Sequence, residues 1–321
     1  MDNVCHTLVG VAAARAGLNT RTTFATATLV IASNLPDIDV LSFATGIPAV
    51  ALRRGWTHGV LAQALLPVAF AGVMWMVGSG RLTGRLTGRL TGRLKPASTV
   101  PDFRWLLMLS YIGVLAHVVF DYLNTYGVRL LMPFSNRWFY GDSVFIIDMW
   151  MWLMLGLGVL LARRGRIWVA RTALAATALY VVAMVVSADR ARSIVMSRWT
   201  ETFGTPPASM MVGPVPISPL RKAIIVDAGD RYIVGRFHWY PRHISFNPVE
   251  IPKNDQGSWV RLALAQEPDF AAILVWARFP FWGLEEDGNG IRVTLRDVRF
   301  PQGFRGFSAT TYIRKEAYAA R

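Results

Sequence analysis

Apolar and polar positions change their pattern near residue 187. Ahead of it lie six apolar runs: Val4–Leu18, Thr22–Asn34, Gly59–Val77, Arg104–Phe120, Val144–Ala162 and Ile167–Ser187. At 1.5 Å of rise per residue the last four are long enough to cross a bilayer. The first two, of about 14 residues or about 21 Å each, fall short of the ~30 Å hydrocarbon core. They predict a helical hairpin dipping into the membrane, or a tilted pair, turning near Arg15 and Arg21. Beyond Ser187 a basic stretch leads through Thr205-Pro206-Pro207 and Gly213-Pro214 to Pro219, a proline density that predicts an extended, semi-rigid connector. β-Branched and aromatic residues bounded by Gly, Asp and Pro predict strands at Ala223–Val226, Tyr232–Trp239, Ile291–Val298 and Ser308–Ile313. Asp269–Phe279 reads as a short helix. The predicted fold is mainly α: a polytopic helical membrane bundle over 1–187, a proline-rich linker over 188–220 and a β-rich soluble domain over 221–321.

Composition sharpens this picture through charge. The chain is 53% hydrophobic with a net charge of +14, yet residues 1–187 hold 16 Lys and Arg against seven Asp and no Glu. Carboxylates that merely solubilised loops would include Glu as often as Asp, so the Asp residues are placed for a purpose. Arg81-Leu-Thr-Gly repeats three times through Gly92 and is followed by Arg93-Leu94 and Lys95. It matches no solenoid period and reads as an expansion in a tolerant loop. With Arg104 this segment forms one basic cluster, and Arg163, Arg164, Arg166 and Arg171 form a second. The positive-inside rule puts both in the cytoplasm. Twelve Lys and Arg then fall inside and four outside: Arg53, Arg54, Arg129 and Arg137. The candidate His and Asp residues and the C-terminal domain all become extracytoplasmic. Because topology accounts for the basic charge, no nucleic-acid partner is called for. The single cysteine, Cys5, excludes an internal disulfide and a Cys-rich zinc site. No Lys or Arg precedes Arg15, so a cleavable signal peptide is not expected.

Candidate chemistry collects in five short groups: His6; Asp37 and Asp39; His58; His117 with Asp121; and Asp142 with Asp148. His117 and Asp121 are four residues apart, so on a helix they share one face, one turn apart. Such groups are costly inside an apolar segment and mark a functional site by default. Imidazole with carboxylate oxygen is the usual donor mix for zinc and for mixed zinc, manganese or iron sites. The competing readings are structural: a buried His–Asp hydrogen bond, a turn capped by Asp37, a helix capped by His58, and Asp142 as a loop residue. Arg53, Arg54 and Arg137 fall on the same side and suit either a substrate phosphate or headgroup anchoring. His238 and His243 offer no ligand spacing and read as structural.

Four stretches carry a resemblance: Met1-Asp-Asn-Val-Cys-His6-Thr-Leu-Val-Gly10, Asn34-Leu-Pro-Asp-Ile-Asp39, Arg53-Arg-Gly-Trp-Thr-His58 and His117-Val-Val-Phe-Asp121-Tyr-Leu-Asn-Thr-Tyr-Gly127. Leu131-Met-Pro-Phe-Ser135 and Asp142-Ser-Val-Phe-Ile-Ile-Asp148 continue it. Over about residues 1–190 the chain resembles a bacterial family of inner-membrane metal-dependent hydrolases of the LexA-binding type. That family is similar, more remotely, to zinc-dependent phospholipase C and P1-type nucleases. The resemblance implies metal ligation by His6, Asp37, His58, His117 and Asp121, with one to three divalent ions, zinc first among them. Asp39 would be a further ligand or the base that orients water, and Asp142 or Asp148 would stand in for an absent second His-x-x-x-Glu pair. Asn124 joins the three arginines as a substrate-binding candidate. The N-terminal amine need not lie near this site. The implied activity is hydrolysis of phosphoester bonds in lipid, lipid-linked or phosphorylated small-molecule substrates at the inner membrane. A metal or proton transporter and a non-catalytic envelope scaffold are the alternatives, and no oligomeric state is indicated.

Overall fold

Asp2 starts the first helix. Its carboxylate accepts hydrogen bonds from the Val4 and Cys5 backbone N–H groups at 3.0 and 3.1 Å, satisfying two of the donors a helix start leaves open. The computed structural model describes residues 1–46, 48–80, 100–162, 165–300 and 306–314. They fall into two units. One comprises Met1–Asp39 and Arg54–Ser187, the other Val40–Arg53 and Ala188–Arg321.

The first unit is helical. It contains α1 (Asn3–Arg15), α2 (Ala25–Ala32), α4 (Val60–Gly78), α5 (Phe103–Tyr122), α6 (Met149–Leu161) and the start of α7 (Ile167–Phe203); the short α3 (Ala49–Leu52) belongs to the second unit. After α2 the chain bends by 49° into a 3-10 stretch, Leu35–Thr45. Helix α5 packs on α2 and α4, and α1 packs on α2 and α6. Leu106, Leu109, Met151 and Leu155 are fully enclosed, whereas Leu65, Leu153, Leu157 and Leu179 face outward. When the surroundings are as apolar as the core, close backbone approach holds helices together better than hydrophobic burial does. Gly113 supplies that approach: a Cβ there would lie 2.6 Å from the Ala32 Cβ and 2.8 Å from the Ser33 nitrogen.

Among the described residues, three helices, α4, α5 and α7, are long and apolar enough to cross a membrane, and α2 passes the same test jointly with the bent 3-10 stretch. The run Val144–Ala162 is shorter than the expected span. Asp148 accepts from the Trp150 and Met151 N–H groups and caps α6, which is therefore only 13 residues long. The Arg-Leu-Thr-Gly repeat through Lys95 and the pair Arg163–Arg164 lie outside the described residues.

The second unit is β-rich. Strands β1 (Ser209–Pro214), β2 (Arg221–Asp227), β3 (Arg231–Trp239) and β4 (Arg242–Phe246) pair in that order, all antiparallel, and β5 (Ile251–Pro252) also pairs with β3. A second antiparallel sheet holds β6 (Pro280–Asp287), β7 (Gly290–Asp297) and β8 (Ala309–Arg314), with α8 (Ser258–Gln266) and α9 (Pro268–Trp276) preceding it. One face of the first sheet, including Ile224, Val226 and Phe237, packs on Ala191, Val195 and Trp199 of α7. At one end of the other face, Met211, Ile225 and Tyr232 meet Phe279 and Val298. The stretch 188–220 is thus not the extended connector its prolines predict. Burial at spacings of three and four, at Ala188, Ala191, Val195 and Trp199, keeps the end of α7 helical, and burial of Met210, Met211 and Val212 makes Ser209–Pro214 a strand, with Pro214 at the strand end where a missing N–H is tolerated.

Candidate metal centre

The last two turns of α5 carry His117 and Asp121, both buried, and their side chains meet as the four-residue spacing predicts, 3.4 Å from Nε2 to Oδ2. Around this pair fold the 3-10 turn with Asp37 and the loop ahead of α4 with His58. One donor atom from each of Asp37, His58, His117 and Asp121 lies within 4.8 Å of all the others, and all four residues are buried. This cluster could hold a metal ion.

The ring orientations show why. His117 Nδ1 is 2.7 Å from the Ser33 carbonyl oxygen, which can only accept, so Nδ1 carries the proton and Nε2 presents a lone pair. His58 is set the same way. The Thr57 hydroxyl is 3.2 Å from Asp39 Oδ2, to which it donates, and its oxygen accepts from His58 Nδ1 at 3.0 Å. The two Nε2 atoms are then 3.2 Å apart, with Asp121 Oδ2 3.2 Å from His58 Nε2. Two imidazole lone pairs and a carboxylate converging in a buried space repel one another unless a cation lies among them, so the donor set fits a divalent ion. Burial, outweighing the nearby Asp121 and Asp39 carboxylates, holds His58 below its ordinary histidine value and keeps the ring neutral.

His6 stacks on His117 with ring centroids 3.8 Å apart, and its Nε2 is 3.4 Å from Asp121 Oδ1. Neither ring nitrogen of His6 has a hydrogen-bond partner among the described residues, although the residue is buried. Asp121 also pairs with Arg54 Nη2 at 3.0 Å and with the Met1 amine. The expectation that the amine need not approach the site is thereby corrected: α1 starts so close to the end of α5 that Met1 is enclosed beside Asp121.

The other candidates take distinct places. Asp39 lies on the Nδ1 side of His58, 3.5 Å from that atom, and accepts from the Arg54 backbone N–H at 2.7 Å. Arg54 is buried, with Nη1 donating to Asn124 Oδ1 at 3.0 Å and its guanidinium over the Tyr126 ring. Asn124 Nδ2 has no hydrogen-bond partner among the described residues. Asp142 is buried in a left-handed turn that hydrogen bonds from Gly141, Ser143 and Val144 fasten to the end of α5. Asp148 caps α6 and accepts from the Tyr180 hydroxyl at 3.0 Å. Neither belongs to the four-residue cluster. Arg137 is exposed over the Phe139 ring, and Arg53 falls in the second unit.

Sequence reasoning missed the Ser33 carbonyl, Thr57 and Gln63, whose Nε2 donates to the His58 carbonyl at 2.7 Å. A backbone carbonyl leaves no side-chain signature. Thr57 beside His58, and Gln63 inside an apolar run, were visible polar signals.

The chain belongs to the YdjM inner membrane protein family, whose model matches residues 1–191 and so includes every member of the cluster. No curated protein and no solved structure matches the chain. Family membership and the three apolar helices place the protein in the inner membrane.

Proposed function

From this membership and the buried cluster, we propose that the protein is a metal-dependent hydrolase of the inner membrane. Its substrates would carry phosphoester bonds in lipid or lipid-linked molecules. Asp37, His58, His117 and Asp121 would hold the ion, zinc in the first instance, with His6 beside them. The observation that carries the reading is the pair of imidazole Nε2 atoms 3.2 Å apart, each ring's N–H held on its far side. These residues would hold a divalent ion, which would supply Lewis acidity for a phosphoryl oxygen and for water near neutral pH.

The chain's own residues set up the rest. Ser33 and the Thr57–Asp39 pair fix the two rings, as partners behind a metal-binding histidine do. Asp121 is committed to Arg54 and the Met1 amine, and Asp39 to Arg54 N and Thr57. A carboxylate beside the ion would accept the proton released by the attacking water.

Two features support a membrane substrate over an ion pathway. A pathway would spread its ligands along the helices. Here they gather at one end, His58 just before α4 and His117 with Asp121 in the last two turns of α5. Exposed apolar side chains flank each arm of the cluster: Ile38 follows Asp37, Trp56 precedes His58, and Leu131 and Phe134 border Met132, whose carbonyl abuts Gly59. Arg104 lies at the opposite end of α5, so the positive-inside rule supports an extracytoplasmic site.

The test is zinc content and phosphodiesterase activity of the purified protein beside His58→Ala and Asp121→Ala. Stoichiometric zinc in wild type, lost with activity in both variants, is expected. Stoichiometric zinc retained by both would overturn the reading.

A further inference from the structure

The second unit ends, at the β3–β4 hairpin, in a surface unlike the rest of it. Strand register places Arg221 of β2, His238 of β3 and His243 of β4 in one row across the sheet, with Arg236 and Ser245 in the row behind. The two histidine rings stack at 4.4 Å. At its other end this face is covered by Phe279 and Val298, but here it is open. Besides partial desolvation, the charges acting on His238 are those of His243, Arg221 and Arg236, which hold it below its ordinary value. The nearby Glu201 is taken up by Arg198 at 3.6 Å.

Beyond this basic row the chain presents apolar side chains to solvent. Tyr240 at the hairpin tip is 86% exposed, and Ile217 and Leu220 in the adjoining loop are 60% and 55% exposed. The loop is fastened to the hairpin by a 2.9 Å hydrogen bond from Trp239 N to the Leu220 carbonyl. Ile217 has φ 68°, a left-handed conformation that a β-branched residue rarely adopts, and its side chain is exposed.

The unit's first helical residues, from Ala188, directly follow the apolar part of α7. Strand β1 begins after the helix has ended at Phe203 and runs from Ser209 to Pro214, pairing with β2 so that Pro214 lies opposite Lys222. A cleft lined by Ile194, Ser197, Phe237, Arg242 and His243 sets the hairpin beside the earlier turns of this helical segment, while Phe246, further from the tip, packs against Trp199. The hairpin tip is therefore on the side of this segment's first turns, which follow the span in the chain.

We propose that this end docks on the membrane surface, with Tyr240, Ile217 and Leu220 entering the headgroup layer and Arg221, Arg236 and Arg242 binding anionic lipid. Apolar tips rimmed by arginine are the surface type that seats a peripheral element on a charged bilayer. The proposal does not depend on the metal centre or on hydrolysis.

The test uses the full chain with Tyr240→Cys carrying an environment-sensitive fluorophore, reconstituted in phosphatidylcholine vesicles with or without phosphatidylglycerol. Native Cys5 is fully buried and stays unlabelled. Label emission should shift blue, and be quenched by headgroup spin-labelled lipid, when phosphatidylglycerol is present. Each arginine at an anionic surface is worth about fivefold in partitioning, so replacing Arg221, Arg236 and Arg242 by Gln should reduce it by about a hundredfold. A label at Val249→Cys, exposed at the opposite end of β3, should remain in water throughout. Quenching at 240 that ignores lipid charge and the arginines, or equal quenching at 249, would overturn the proposal. So would shielding of position 240 in detergent by a species of twice the monomer mass, which would assign this end to a second copy of the chain.

Discussion

His58 and His117 face each other through their Nε2 atoms at 3.2 Å, and as neutral rings with Nδ1 protonated they have no proton to place between them. The proton of His117 goes to the Ser33 carbonyl and that of His58 to Thr57. The arrangement is therefore stable with a cation between the rings and repulsive without one.

The partner behind His58 should tune the ion's affinity without being a ligand. Asp39→Asn is expected to leave one ion bound at saturation but to weaken its affinity by about 10- to 100-fold. Competition with a chromophoric chelator measures this. Unchanged affinity would detach Asp39 from the centre.

Ion binding should be visible as stability. An ion present at about a thousandfold over its Kd adds about 4 kcal/mol to unfolding, so a chelator should lower the melting temperature of wild type and zinc should restore it. His117→Ala should melt at the same temperature with and without chelator.

Gly113 touches no ligand, yet Gly113→Val should affect the centre. The new side chain would press on Ala32 and on the nitrogen of Ser33, the residue whose carbonyl orients His117. Overpacking of this kind costs about 1–3 kcal/mol, and metal affinity should fall with it. Gly72→Ala, where a Cβ would meet nothing within 4 Å, serves as the control and should match wild type in both measurements.

The second unit has an acid-sensitive point at Asp297. Burial pushes its carboxyl up, but the Arg299 guanidinium at 2.9 Å and N–H donors from Arg278, Phe279 and Arg299 outweigh burial and hold it below the usual carboxylate value. A group depressed in the folded state contributes stability above its unfolded pKa of about 3.9, and that contribution is lost as pH falls through the lower folded value. Asp297→Asn should therefore destabilise the unit by about 3–5 kcal/mol near neutral pH, because it leaves Arg299 buried without its partner. The difference from wild type should shrink on acidification below about pH 4, measured by thermal melts across pH.

The ligand pair was legible in the sequence because helix geometry alone makes residues 117 and 121 neighbours. So were the long apolar helices, since each is written in a continuous run. The shorter α6 was not, because Asp148 reads as a candidate ligand until its capping bonds are seen. The stretch 188–220 was misread for a related reason. Proline density describes a local backbone preference, whereas the strand at Ser209–Pro214 forms because Met210 and Val212 find a core on α7. Likewise nothing in the residues announced that Arg54 would spend its guanidinium on Asp121 and Asn124, since both partners are distant in the chain.

That distance bears on how the protein is made. The contact between His58 and Asp121 closes 63 residues of chain, and the contact from His117 to Ser33 closes 84. Closing such long stretches of chain costs entropy that local helix formation alone does not repay. The cluster's geometry therefore exists only where helices distant in sequence have docked, so an ion bound there would be linked to the assembly of the first unit as a whole.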